Sequence, residues 1–380
     1  MADGATGLCT RTKRRQRKLR STGPIRTVGA EGEAITHVPD LSCRDLRAKP
    51  ATGAGKKTPA ALPVSGEINA ELPHWLRFSG EERARTEYIV GEGFQAVTDL
   101  YLLNRLRVNL DVAPTPWLKF GFQAEDSRVF GQNAQPAPAS QKDAMDLRLG
   151  YVQAGSDEGA VRLRAGRQSP DFGEGRVLAD PNWSNVGRSF DAARLTLRRG
   201  PLKVDLFTGA SVKIDQTSFD EPCPGEHFHG VYGSLGGVVP GATLEPYVLW
   251  RLEHAYKNER GKLGNLDEKT AGLRWAGKLA FGFDYTSEMA IQRGSWAGDS
   301  IAAWLGHWVM GHTLADARHR PRVFAEFNRA SGDANSTDGR HGTFDTLFPA
   351  SHDKFGLTDL LCSTTWSTSA PASSTPCGRI

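Results

Sequence analysis

VRLRAGRQSPDFGEGRVLADPNWSNVGRSFDAARLTL, residues 161–197, consists of two short alternating runs around a long polar, glycine-rich connection. In the first run Val161, Leu163 and Ala165 alternate with Arg162 and Arg164; in the second Ala193, Leu195 and Leu197 alternate with Arg194, Thr196 and Arg198. A period of two means strands, with successive side chains on opposite faces. A soluble sandwich strand of this composition turns its apolar residues inward, whereas a membrane-barrel strand turns them toward lipid and its charges into a wet lumen. The local pattern fits both. What separates them is how often the pattern recurs, and whether short and long connections alternate.

Composition narrows the classes. The chain has 380 residues, 42 of them glycine, and a formal net charge of +4. That charge is too small to argue for a nucleic-acid partner. Mean hydropathy is negative, and no run of about 18 apolar residues occurs, which excludes transmembrane helices but not a barrel whose strands are half apolar. The five cysteines, Cys9, Cys43, Cys223, Cys362 and Cys377, are scattered and match neither a metal spacing nor a disulfide framework.

Three segments differ in character. Residues 1–66 carry the basic run KRRQRKLR at 13–20, then Gly, Ala, Pro and Thr without apolar periodicity. They read as a disordered basic segment, its charge run a solvated tail. No apolar core of a secretory signal precedes Leu76. Residues 361–380 are rich in Ser, Thr and Pro and read as a disordered tail. Between them, residues 67–360 alternate throughout. EYIVGEGFQA at 87–96 imitates a dinucleotide-binding loop, but a helix should follow it. Instead Arg105, Arg107, Asn109 and Asp111 alternate with Leu106, Val108, Leu110 and Val112, so the segment is a strand.

The connections keep a rhythm. Short turns at 114–116, 156–159, 200–201, 236–241, 277 and 316–320 interleave with longer loops at 130–142, 170–189, 215–227, 256–267, 292–299 and 332–354. Short and long connections alternating through about fourteen strands predict an all-β, antiparallel up-and-down transmembrane barrel. Trp75, Tyr88, Trp117, Trp250, Trp275, Tyr285 and Trp308 then fit either interfacial girdles or ordinary core packing.

Several blocks in order resemble the alginate export family of bacterial outer-membrane proteins: WLKFGFQAEDSRVFG at 117–131, AGRQSPDFGEGRVL at 165–178, NWSNVGRSFDAARL at 182–195 and SGDANSTDGRHGTFDTLFPASHDKFGLTDL at 331–360. The resemblance implies one antiparallel barrel, of about eighteen strands in that family. It also implies passage of an anionic polysaccharide or small anionic solutes across the outer membrane, with outer-membrane lipid and periplasmic export machinery as partners. Against that pattern the N-terminal segment is aberrant and the C-terminal end is truncated, so the strands here are expected to form part of a larger barrel.

Strand parity selects the inward residues. With apolar residues toward lipid, Arg77, Arg83, Arg85, Arg105, Arg107, Lys119, Arg148, Arg162, Arg164, Arg194, Arg198, Lys203, Arg274 and Arg322 face the lumen, against the fewer acids Glu81, Asp111, Glu125, Asp146, Asp205 and Glu326. Arg105, Arg107, Arg162, Arg164, Arg194 and Arg198 are the expected solute-binding residues, because a guanidinium binds carboxylates bidentately in a confined channel. The bland alternative is that they brace the wall by pairing with carboxylates. No catalytic residues, metal site or cofactor are expected. His227 and His229 of EHFH read as loop residues beside Glu226. His307 and His312 differ in parity, His341, Asp345 and Ser351 lack a nucleophile elbow, and SGDANSTDG at 331–339 lacks the spacing of a calcium loop. Two other functions compete with the anion channel: a broad-specificity uptake porin and a soluble β-rich carbohydrate-binding protein.

Overall fold

A computed structural model describes residues 63–91, 98–133, 136–314 and 319–355. The expectations of disorder for residues 1–62 and 361–380 lie outside the described residues, as does the segment 92–97. Residues 63–66, read as part of the unstructured segment, begin a helix, α1 (Pro63–Glu71). From α1, Asn69 donates to the Phe78 carbonyl at 2.7 Å and accepts from the Phe78 N–H at 2.8 Å. One side chain thereby satisfies both backbone groups of a residue on a strand edge.

Among the described residues, fifteen strands make one sheet. In chain order they are β1 (Leu76–Val90), β2 (Thr98–Thr115), β3 (Leu118–Phe130), β4 (Asp143–Ala154), β5 (Val161–Gln168), β6 (Phe190–Arg199), β7 (Leu202–Lys213), β8 (Glu221–Pro222), β9 (Glu226–Gly236), β10 (Ala242–Lys257), β11 (Leu263–Lys278), β12 (Phe283–Trp296), β13 (Asp299–Thr313), β14 (Arg322–Ala330) and β15 (Arg340–His341). The long strands pair antiparallel with their sequence neighbours, while two-residue β8 pairs with β7 and two-residue β15 lies parallel to β13. The meander read from the rhythm of connections is therefore the observed topology.

The rhythm itself breaks in the second half. β10 runs to Lys257 and β11 starts at Leu263, which leaves 258–262 where the sequence suggested 256–267. Between β12 and β13 only Ala297 and Gly298 remain, not a loop at 292–299. The polar residues there misled the reading. Strands of 14 to 16 residues exceed the roughly 9–11 that hydrocarbon requires, so their outer ends meet water on both faces and need no apolar alternation.

The outer face carries Leu100, Leu102, Leu106, Leu110, Val161, Leu163, Leu197, Val231, Val248, Leu273, Met289 and Ile291, all exposed. Its opposite face buries Arg105, Arg107, Arg148, Arg251 and Arg274. One region departs from this division. Phe207, Phe228, Tyr232, Tyr247 and Leu249 point inward and pack with Phe172, Leu178, Phe344 and Phe348 into an apolar core inside the sheet.

Candidate functional site

That core exists because a connection folds inward. Residues 169–189, between β5 and β6, reach strands from both halves of the sheet. Arg83 on β1 donates to the carbonyls of Asn182 at 2.7 Å and Ser184 at 2.8 Å. Arg85 donates to the Trp183 carbonyl at 2.6 Å and stacks over its ring at 4.0 Å. Arg105 on β2 binds Glu81 and the Asn182 carbonyl, and Arg148 on β4 binds Asp180. On the other side, Arg274 of β11 holds Glu174 at 2.9 Å, and Arg176 holds Glu326 of β14 at 3.2 Å. The sheet must therefore curl around this loop for both sets of contacts to coexist.

Local chemistry lets the loop pack tightly. At Gly187 an added Cβ would stand 2.8 Å from the Arg107 guanidinium and closer still to that of Arg148, so both guanidiniums would have to shift to admit it. Phe172 stacks on Tyr232 at 4.5 Å and gives the loop an apolar foot on the wall. A second segment, 342–350, lies beside it: Phe348 donates to Val177 at 3.0 Å, and the N–H groups of Ala179 and Ala350 donate to Phe348 and Gly175 at 2.9 Å. Arg251 fastens this segment to β10, with Asp345 at 3.2 Å and Glu253 at 2.5 Å. Neither inward segment is announced by alternation. The signal was composition, since Phe172, Val177 and Leu178 are too apolar for a solvated loop.

Charges outside the spanning strands shift accordingly. Burial opposes ionisation of Glu174, but the neighbouring His307 and Arg274 outweigh it and hold the carboxyl well below its usual range. At Asp180 burial is likewise outweighed, by Arg148 and Arg107. Burial pulls the Arg188 guanidinium down to about 10, where it remains charged at neutral pH.

The six expected solute-binding arginines sort into groups. Arg105 and Arg107 hold the inward loop: Arg107 donates to Glu125 at 2.5 Å, and both lie buried beneath Asn182. Arg164 and Arg194 are directly opposed across β5 and β6, and Arg162 opposes Thr196. Each has found a partner. Arg194 pairs with Asp205 at 2.9 Å and Arg162 with Asp157 at 3.0 Å. Arg164 donates to Gln153 Oε1 at 2.6 Å and lies over Tyr151, and Arg198 donates to the Asp157 carbonyl at 2.6 Å.

Partnering and neutralising are different things. Among the described residues, Arg83, Arg164 and Arg198 donate only to neutral oxygens, as does Arg188, whose acceptors are the carbonyls of Ala179 and Pro349. Hydrogen bonds hold these four guanidiniums in place without a carboxylate at ion-pair distance, although the Nε atoms of Arg83 and Arg188 are buried without an acceptor.

The other candidates disperse. EHFH lies on β9, not in a loop, with His227 and His229 on the outer face; His229 bonds Thr208 at 2.7 Å. His307 is buried against Asn328 at 2.6 Å, whereas His312 bonds the Phe281 carbonyl at 2.9 Å. His341 pairs with Glu259 and Asp345 with Arg251, which separates the supposed triad. In 331–339, Asp333 and Asn335 are consumed in local turns.

An antiparallel meander with an apolar outer face and a charged interior defines an outer-membrane barrel. The chain belongs to the alginate export family, whose model matches residues 74–362, and so to the non-enzymatic barrels of the bacterial outer membrane. Among solved structures it is similar to Pseudomonas aeruginosa OccK11 (OpdR), at 11% identity over 72% of this chain and 66% of that one, with a TM-score of 0.44. It is also similar to Pseudomonas aeruginosa OpdO, at 13% identity, 70% and 67% coverage and a TM-score of 0.48. A third is Acinetobacter baumannii OccAB1, at 13% identity, 77% and 70% coverage and a TM-score of 0.43. The chain thus spans just under two thirds of OccK11. No curated protein matches it.

Proposed function

We propose that the protein conducts anionic polysaccharide of the uronate type, or small anionic solutes, along the arginine-bearing interior, with the 169–189 loop as its constriction. The observation that carries this reading is the set of interior guanidiniums whose partners are neutral. Hydrogen bonds to carbonyl and amide oxygens fix Arg83, Arg164, Arg188 and Arg198 in place. The uncancelled charge gives a low-dielectric passage a positive potential and raises the local concentration of anions. Arg164 and Arg198 present that charge to a passing carboxylate, with Arg162 and Arg194 beside them in acid-paired form. Arg105 and Arg107 shape the constriction from beneath. Outer-membrane lipid covers the apolar face.

Liposome swelling tests the reading. Uronate oligomers should enter protein-containing vesicles faster than neutral oligosaccharides of the same length. Equal rates for both would refute anion preference and favour a broad-specificity uptake porin.

A further inference from the structure

A cluster of three carboxylates lies where β4 begins, apart from the arginines just described. The connection 214–225 carries Asp220 against the beginning of β4, and one carboxylate oxygen each from Asp143, Asp146 and Asp220 fall within 4.8 Å of one another. Two of these groups have donors. Asp146 accepts the Leu147 N–H at 2.5 Å and the Asp220 N–H at 2.6 Å, and Asp220 accepts the Asp215 N–H at 2.7 Å.

Asp143 differs. It is only 3% exposed, and its Oδ1 is shut off from solvent with no hydrogen-bond donor. A charged oxygen in that position has lost its hydration and gained nothing in return. The nearby guanidiniums are engaged elsewhere: Arg128 with Asp126 at 2.6 Å and Arg167 with Asp191 at 2.9 Å, the latter reaching Asp220 only at its backbone carbonyl, at 3.0 Å. Among the described residues no Lys, Arg or His forms an ion pair with any of the three.

We propose that Asp143, Asp146 and Asp220 form a calcium site that pins the 214–225 connection to the start of β4. The three oxygens lie within 4.8 Å of one another, close enough for one central ion to reach all three at about 2.4 Å. An all-oxygen, all-carboxylate set favours a hard cation over zinc or copper. Magnesium keeps most of its own water and is seldom held by an all-protein cage, whereas water and backbone carbonyls complete the 6 to 8 oxygens that calcium takes. A site on the long-loop side faces the exterior, where an affinity on the order of 0.1–1 mM suffices for occupancy. The other acidic group, Glu259, Asp333 and His341, needs no ion: His341 Nδ1 pairs with Glu259 at 3.2 Å, and Asp333 accepts the N–H groups of Asn335 and Gly342.

The test uses the full chain in detergent micelles after removal of divalent ions with EDTA. Equilibrium dialysis should show saturable binding of one calcium ion, and calcium should slow proteolysis within 214–225 and raise the unfolding temperature. Asp143→Asn should weaken binding at least about 10-fold while still folding, since it removes a buried charge. Asp333→Asn should bind as the parent does. No saturable binding up to about 10 mM, unchanged binding in Asp143→Asn, or loss in Asp333→Asn instead would each overturn the proposal. If Asp143→Asn does not fold, calcium-dependent protection of 214–225 in the parent chain decides, and its absence is contradiction.

Discussion

The connections 169–189 and 214–225 leave the same end of the sheet, from β5 and β7, and both bury carboxylates. In the first, Glu174 and Asp180 meet Arg274 and Arg148, and their acidity increases in spite of burial. In the second, Asp220 meets Asp146 and Asp143. Burial pushes its carboxyl up to about 6, with Asp146 adding to the effect and the Asp215 N–H only partly offsetting it. A loop that carries acid to base is locked by the protein's own charges. One that carries acid to acid has no such lock and would be held by a proton or, as proposed above, by a cation from outside.

The sharpest way to break this contrast is to remove one charge from each region. Arg148→Ala leaves Asp180 without its ion pair while Glu125 keeps Arg107, and should cost about 3–5 kcal/mol in urea unfolding. Asp143→Asn, measured identically without divalent ions, should stabilise instead. A loss for Arg148→Ala below about 1 kcal/mol, of the size expected for an exposed pair, would mean the inward loop is not held by its ion pairs.

Acidification sharpens the same comparison. A carboxyl whose folded pKa is depressed contributes stability that is present above its unfolded value, near 4, and is lost only as the pH falls through the lower folded value. Glu174 and Asp180 are of this kind. Hydrogen exchange at 173–188 should therefore be no less protected at pH 5 than at pH 7, and protection should fail only well below pH 4. Loss of protection between pH 7 and 5 would contradict the assignment.

Smaller effects are expected where strands face one another. Arg162→Gln removes a pair with the largely exposed Asp157 and should cost at most about 1 kcal/mol. Arg164→Gln removes an uncancelled charge and should cost comparably little while changing conductance. Similar conductance changes in both variants would erase the distinction between paired and unpaired arginines.

What the sequence revealed and what it hid divide along the same physical line. Period-two alternation in 161–165 and 193–198 locates β5 and β6 and opposes Arg164 to Leu163, because pleat geometry is local. The inward course of 169–189 is not local, since it depends on wall residues as far away as Arg83 and Glu326. Parity also fails where both faces of a strand are apolar. On β9, Phe228 and Tyr232 face in and Val231 faces out, and only the buried loop explains the first two. Asp143 and Asp146, three apart, should lie on opposite faces of a strand. Register shifts between β3 and β4 at Gln123/Ala124 and Glu125/Ser127 bring both inward, and no alternation pattern announces such an irregularity.

The claim that uncancelled interior arginines set an anion preference is tested most directly by the reversal potential in a planar bilayer under a salt gradient. The parent chain should show anion selectivity, and the double variant Arg164→Gln/Arg198→Gln should move toward cations with the barrel still folded by heat-modifiable gel migration. A reversal potential identical in parent and variant would contradict the account.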